Sequence, residues 1–513
     1  MITQAGHVRQ IASAAGVVSL ATLFSRLLGF VRDMAIAWLF GAGMLADAFF
    51  VAFRIPSTLR ELLGEGALSA AFIPTFTRTA TREGRDAAWD LASAVMGTLV
   101  VVLAGVTLLG VLLAPAIVRL LAPGFAEVPG KLDLTVQLLR VMFPYIFLVG
   151  LAALFMAILN SLGHFLAPAL SPTVLNIAMI AAALLIAPGA SNPVLPLGIA
   201  VLVGGAGQLL IQVPAALARG WRPRLRVAPR DPRVWQIARL MAPGVAGLAI
   251  TQINVFVGTL LASFLAQGSV AALTYAFRLV QFPIGVIGVA IATGALPVMA
   301  ASMAKDAVEE MKGALQGSLR LAFFLTLPAI VGLIVFRVPI LHVLFERGAF
   351  TRPVTLLTAE ILVGYALGLT FYMTGMLAVA VNIAASVLLM GRLGATGLAL
   401  ATALASASNF LFLFIRLRGR IGLLGGRRLL RASARVAVAC LPMAAWGMLS
   451  QGWWDVLAVP RVLPKAALLL GEMAVAAALF GATAAALRCE EVGWALAAIR
   501  GRGKRTPGSA PGS

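Results

Sequence analysis

From residue 17 onward the chain is a succession of apolar stretches, most of them close to twenty residues long and separated by short polar turns. About 20 such residues are what a helix needs to cross roughly 30 Å of hydrocarbon. In lipid, a chain segment must satisfy its own backbone hydrogen bonds, which leaves helices as the natural solution. The stretches fall near 17–40, 46–77, 90–118, 134–160, 168–188, 194–218, 236–266, 270–301, 317–338, 354–371, 373–390, 394–415, 434–450 and 463–487, so the expectation is an all-α polytopic membrane protein of about fourteen spans. Composition agrees: 61% of the residues are hydrophobic and 12% charged, and the mean hydropathy is +0.99. A soluble domain has about twice that share of charge. A soluble enzyme, a disordered chain and a secreted disulfide scaffold are thereby excluded.

The chain carries 40 Lys and Arg against 19 Asp and Glu. The cations lie mostly in short loops, which points to membrane topology rather than to nucleic acid. One set of loops holds 26 of them, including seven arginines from Arg219 to Arg239 and seven from Arg416 to Arg435. The opposite loops hold eight: Arg119, Lys131, Arg337, Arg347, Arg352, Arg392, Arg461 and Lys465. The bias places both termini in the cytoplasm and requires 354–390 to form two helices. The basic loops also suit anionic lipid headgroups. The start of the chain lacks the charge pattern of a cleaved signal.

Six arginines remain inside or at the ends of spans: Arg26, Arg32, Arg54, Arg60, Arg140 and Arg278. An arginine at a helix centre costs roughly 2.5–3.5 kcal/mol to insert, so such residues should line a wet cavity or sit at an interface. The densest cluster is in the first two spans. Arg26, Arg32 and Asp33 lie within two turns, Asp47 opens the next span, and Arg54, Pro56, Arg60, Glu61 and Glu65 follow. Pro56, Gly64 and Gly66 are expected to break that second helix. Arginine offers a planar, permanently charged fork that matches phosphate oxygens. Arg26, Arg32, Arg60 and Arg278 are therefore the candidate ligands for an anionic group. Asp33, Asp47, Arg54 and Glu65 are their supporting charges, and the Gly41–Gly43 turn is a gate. The competing reading is that each arginine is a structural bridge to Asp33, Asp47, Glu61 or Glu65.

No catalytic or metal set emerges. His7, His164 and His342 lack ligand spacing, Cys440 and Cys489 read as unpaired, and span 7 (236–266) holds no acid, only Gln252 and Asn254 as polar groups. A cofactor is not expected. An internal repeat is: Ala52-Phe53-Arg54 recurs as Ala276-Phe277-Arg278, and Leu175-Asn176-Ile177 as Val381-Asn382-Ile383. Duplicated halves are a recurrent transporter design with the site between them. The expected organisation is a first lobe over 1–218, a second over 219–430, two further helices over 431–490 and a basic tail over 491–513. Tyr145 to Asn176 spans almost twice the sequence that separates Tyr365 from Asn382, so the second lobe is short near spans 10 and 11.

Several stretches resemble the MurJ/MviN family of the multidrug/oligosaccharidyl-lipid/polysaccharide exporter superfamily. They are Phe24–Arg32 (FSRLLGFVR), Phe40–Arg54 (FGAGMLADAFFVAFR), Leu59–Phe72 (LRELLGEGALSAAF), Ser171–Ile177 (SPTVLNI) and Tyr275–Pro297. The resemblance implies a flippase, not an enzyme, for lipid II in peptidoglycan and cell-wall biosynthesis and hence cell shape. Its cargo would be an undecaprenyl-pyrophosphate-linked disaccharide-pentapeptide. It implies two lobes around a cationic cavity, with the last two helices forming a groove for the lipid tail. Arg26, Arg32, Arg60 and Arg278 match the family's cavity arginines, and Asp47 and Glu65 match important acids. The resemblance further implies the bacterial cytoplasmic membrane, coupling to an ion gradient or the membrane potential, and partners among cell-wall synthesis and division proteins. It departs at Leu369–Met376, where the family's acid and Thr-Pro are absent. The alternatives are an exporter of another polyprenyl-linked glycan or of drugs, and a transport-impaired scaffold homologue.

Overall fold

A computed structural model describes residues 4–64, 67–222, 224–371, 376–422, 425–456 and 462–494. Among these residues there are helices and turns and no strand. Ten helical stretches among them are long and apolar enough to cross a membrane. Many large apolar side chains stand exposed on them, Leu109, Leu185, Leu388 and Leu449 among them. Such side chains suit a helix surrounded by lipid tails, which are as apolar as leucine.

The chain divides into two compact units. The first is Met1–Thr274 with Arg347–Val354, and the second is Tyr275–Glu346 with Thr355–Ser513. In the first lie α1 (Gln4–Phe40), α2 (Met44–Gly64), α3 (Ala67–Arg82), α4 (Arg85–Leu112), α5 (Ala114–Leu121) and α6 (Lys131–Met142). They are followed by α7 (Tyr145–Ser161), α8 (Leu166–Ala181), α9 (Leu195–Leu210), α10 (Val213–Leu217) and α11 (Pro232–Ser263). The chain passes from one unit to the other within α12 (Ser269–Pro283). The second unit continues with α13 (Val289–Ala304), α14 (Val308–Val335), α15 (Arg337–Leu344), α16 (Arg352–Leu367, from Thr355 on), α17 (Met376–Ile421), α18 (Gly426–Val456) and α19 (Val462–Ala486).

Small residues let these helices approach closely. A Cβ on Gly205 of α9 would lie 2.6 Å from the Tyr145 ring of α7, and one on Gly97 of α4 would lie 2.3 Å from the Arg226 carbonyl oxygen. The first unit's core gathers Phe72, Phe76, Leu91, Phe155, Ile158 and Trp221. Trp221 stacks near Trp89 with ring centroids 6.4 Å apart and so pins the basic connection after α10. In the second unit the short turn Leu369–Phe371 is anchored by Thr370, 2.9 Å from Thr326, and by Phe371, 5.2 Å from Phe410. Arg320 of α14 holds the chain just past α19 through Glu490 at 3.0 Å and Glu491 at 2.7 Å. Cys440 and Cys489 are both buried and free.

The second predicted span is corrected at Pro56: α2 is not broken at Arg54–Pro56 but runs through it to Gly64, and α3 follows from Ala67. Proline removes one helical donor. Here Pro56 leaves the Ala52 carbonyl without its i→i−4 donor, which helices at membrane depth tolerate, and nearby Ser57 Oγ donates to the Arg54 carbonyl at 2.9 Å. Gly66 lies outside the described residues. The described part of 373–390, from Met376, and the stretch 394–415 are continuous by hydrogen bonding but are split at Gly394, whose φ of 54° and ψ of −134° are not helical. The helix α16 and the turn Leu369–Phe371 precede them; Tyr372 to Gly375, where the sequence departs from the family, lie outside the described residues.

The internal repeat reappears in packing. Phe53 lies against Tyr145 in the first unit, ring centroids 6.4 Å apart, and its repeat partner Phe277 lies against Tyr365 in the second at 5.3 Å.

His164, in the turn joining α7 and α8, has its Nδ1 2.7 Å from Nη2 of Arg219, just past α10. Burial, and then the Arg219 charge, hold the His164 pKa below its ordinary 6.5. The folded protein thus prefers the neutral ring. The contact's contribution is complete above the ordinary value and is lost as the pH falls below it. His164→Gln should flatten the pH dependence of the melting temperature between about pH 7 and pH 5, and an unchanged slope would count against this contact.

Candidate functional site

On α1, Arg26 is exposed and Arg32 is mostly covered, with 11% of its side chain accessible. Arg32 Nε and Nη2 donate to Asp33 Oδ1 at 3.0 and 2.7 Å. Its Nη1 donates to Asn176 Oδ1 on α8 at 3.2 Å. Arginine has five N–H donors, so one remains on each terminal nitrogen. Asp33 is thus the counter-ion of Arg32, and the pair is neutral overall while still presenting donors.

On α2, Arg54 is half-buried and Arg60 Nη2 lies 3.8 Å from Glu61 Oε1, with 26% of the Arg60 side chain exposed. Glu61 accepts from Gln252 Nε2 of α11 at 2.7 Å, and Thr58 donates to Gln252 Oε1 at 3.2 Å. The chain Thr58–Gln252–Glu61 holds α2 to α11 and sets the acid beside Arg60. Glu65 lies outside the described residues. Arg278 lies on the part of α12 within the second unit, half-buried, and donates to Gln281 at 3.1 Å.

Asp47 pairs with a lysine, not with one of the candidate arginines. Its Oδ2 lies 2.8 Å from Lys131 Nζ at the start of α6. The same oxygen accepts from Gly268 N at 2.8 Å, and Oδ1 accepts from Ala271 N at 2.9 Å. The carboxylate therefore caps the N-terminus of α12, where a negative charge is favoured by the helix dipole. Asp47 is 1% exposed and Lys131 3%. Lys131 also sits 3.9 Å from the centre of the Phe125 ring. Sequence reasoning placed Lys131 among loop cations and missed this role. No local pattern marks it, because its partner is 84 residues away.

The Gly41–Gly43 turn joins α1 to α2 beside that pair. Gly41 has φ +58°, and a Cβ on it would lie 2.2 Å from the Ala349 carbonyl oxygen. Ala349 N in turn donates to the Trp38 carbonyl at 2.9 Å. Gly268, with φ +92°, approaches Ala42 equally closely. Segments 38–47, 124–131, 263–271 and 347–350 are thereby locked into one tight junction within the first unit. Among the described residues there is no group of His, Cys, Asp and Glu able to hold a metal.

Chemically, the first unit combines one fixed guanidinium, that of Arg32, with a buried acid–lysine latch. The arrangement can bind an oxyanion and can hold a junction shut. The family model described as lipid II flippase MurJ matches residues 36–464. A protein of Vibrio cholerae described as a probable lipid II flippase MurJ is 38% identical over 364 residues, 70% of this chain and 69% of that one. One of Rhizobium tropici, described in the same words, is 36% identical over 447 residues, 82% and 84% of the two chains. The lipid II flippase MurJ of Burkholderia cenocepacia is 36% identical over 356 residues, 69% of each chain. A solved structure of lipid II flippase MurJ in an inward closed conformation superimposes with a TM-score of 0.73 at 24% identity, covering 91% of this chain and 97% of that one. An inward-facing multidrug resistance MATE family transporter of the MOP superfamily gives 0.65 at 17% identity, covering 78% and 95%. These two structures share the fold.

Proposed function

Because the chain belongs to the MurJ family, we propose that this multi-pass membrane protein is a lipid II flippase. In this reading it carries the undecaprenyl-pyrophosphate-linked peptidoglycan precursor from the inner to the outer leaflet of the bacterial cytoplasmic membrane. It acts as a transporter and makes or breaks no covalent bond. The observation that carries the chemistry is Arg32, a covered guanidinium with its acid beside it and two N–H groups unspent. Pyrophosphate oxygens suit such a fork.

The substrate's pyrophosphate is bound by Arg26, Arg32, Arg60 and Arg278, while the polyprenyl tail stays in lipid along the groove of the last two helices. Asp33 and Arg54 support these arginines, and Glu65 has the same role. Transport follows alternating access, with the Gly41–Gly43 turn and the Asp47–Lys131 latch closing the outer end. Binding alone shifts populations and cannot drive net movement, so an ion gradient or the membrane potential supplies the direction. Fourteen spans are reached by adding to the ten apolar stretches α1, α2 with α3, α16 and the division of α17 at Gly394. Lobes over 1–218 and 219–430, tail-binding helices over 431–490 and a cytoplasmic tail over 491–513 complete the organisation. The paired Phe53–Tyr145 and Phe277–Tyr365 contacts support the duplication. Both termini are cytoplasmic, the basic loops meet anionic lipid, and cell-wall synthesis and division proteins are partners.

The test is complementation in cells depleted of their own lipid II flippase, with lipid II exposure on the outer leaflet as readout. The wild-type chain should restore exposure and growth. Arg26→Ala and Arg278→Ala should each lower exposure about tenfold or more, the scale of one lost charge-assisted contact. Full exposure with both correctly inserted variants would sink the arginine mechanism.

A further inference from the structure

Asn176 is a polar residue, 6% exposed, in the middle of α8. A buried amide there is costly unless bonded, and both of its bonds go to α1. Its Nδ2 donates to the Ser25 carbonyl at 3.1 Å, and its Oδ1 accepts from Arg32 Nη1 at 3.2 Å. Gly29 lies between these two points on α1, and a Cβ on it would stand 3.6 Å from the amide. The amide fits only this way round, since a flip would set its N–H groups against the guanidinium.

Asp33 takes the Nε and one Nη2 hydrogen of Arg32, and Asn176 takes one from Nη1. With both neighbours in place, the guanidinium plane has no freedom to turn. We propose that Asn176 is a positioning residue for the substrate's pyrophosphate. It orients Arg32 so that the unspent N–H on each terminal nitrogen meets the anion together, and through Ser25 it sets the α1 backbone next to Arg26. This rests on the reading of Arg32 as a pyrophosphate ligand. The gain is preorganisation: a long side chain already ordered loses less freedom on binding.

The experiment uses the full chain purified in detergent and a lipid II analogue with a farnesyl tail. Asn176→Ala should weaken binding about tenfold, the scale of a hydrogen bond to a charged group. In an Arg32→Ala background the same change should cost less than about twofold, because the group it positions is gone. The disaccharide-pentapeptide on farnesol, lacking the pyrophosphate, should bind wild type and Asn176→Ala alike. A merely structural defect would lower every one of these values. Asn176→Leu, which keeps the volume, serves if the alanine variant does not fold. Equal losses in both backgrounds, or wild-type affinity in the single variant, would overturn the positioning role while leaving the arginine reading standing. Unchanged binding by Arg32→Ala would overturn both.

Discussion

Asp47→Ala should be the most damaging single substitution in the first unit. The carboxylate it removes accepts from Lys131 and from the backbone N–H groups of Gly268 and Ala271. Lys131, 3% exposed, would be left as a buried charge with no counter-ion. Breaking a buried pair from one side costs about 3–5 kcal/mol. Two N–H groups at the start of α12 would lose their cap as well. Lys131→Met should be milder, because Asp47 keeps both backbone donors and the helix dipole. The expected order of melting temperature in detergent is therefore wild type, then Lys131→Met, then Asp47→Ala, with complementation lost in the last. If Asp47→Ala melts at the wild-type temperature, the latch does not hold the junction.

The second large effect belongs to the glycines beside that latch. Gly41→Ala places a methyl 2.2 Å from the Ala349 oxygen, and Gly268→Ala places one 2.2 Å from the Ala42 oxygen. Both obstacles are backbone and cannot rotate away. Each site also has a positive φ, which costs an L-residue about 1–2 kcal/mol, and forced overpacking adds about 1–3 kcal/mol. Gly220 is the control. Its φ is +91°, yet nothing lies within 4 Å of its Cβ position, so Gly220→Ala should carry the backbone cost alone. The measurement is the melting temperature of the three variants and their transport in the complementation assay. Gly41→Ala and Gly268→Ala should fall well below Gly220→Ala in both. Three equal values would mean that the close approach at the junction is absent.

Much of the architecture is legible because it depends on local sums. Hydrophobicity over twenty residues marks the long apolar helices. The repeat was readable as strings, and Phe53 and Phe277 meet their matching tyrosines within their own units. The break expected at Pro56 fails for a tertiary reason. Proline disfavours a free helix, but a packed helix in lipid gains more by keeping its remaining bonds than by fraying. The arginines were found because charge in an apolar span is conspicuous. Their partners were not: by sequence alone Asp47 matches any of four arginines equally well, and it takes the lysine that opens α6.

What the sequence determined by itself is thus the apolar solvent, the helical secondary structure, the family and the charged residue types set within its spans. These follow from composition and spacing along the chain, which act whatever the final packing. Only the tertiary structure decided which polar groups are paired: Lys131 with Asp47, Gln252 with Glu61, and Asn176 with Ser25 and Arg32. The partners stand 84, 191, 151 and 144 residues apart. The physical reason is that a hydrogen bond needs its atoms within about 3 Å in a definite direction. For groups on different helices, that is set by which small residues let the helices approach, a property of the packed chain rather than of any segment.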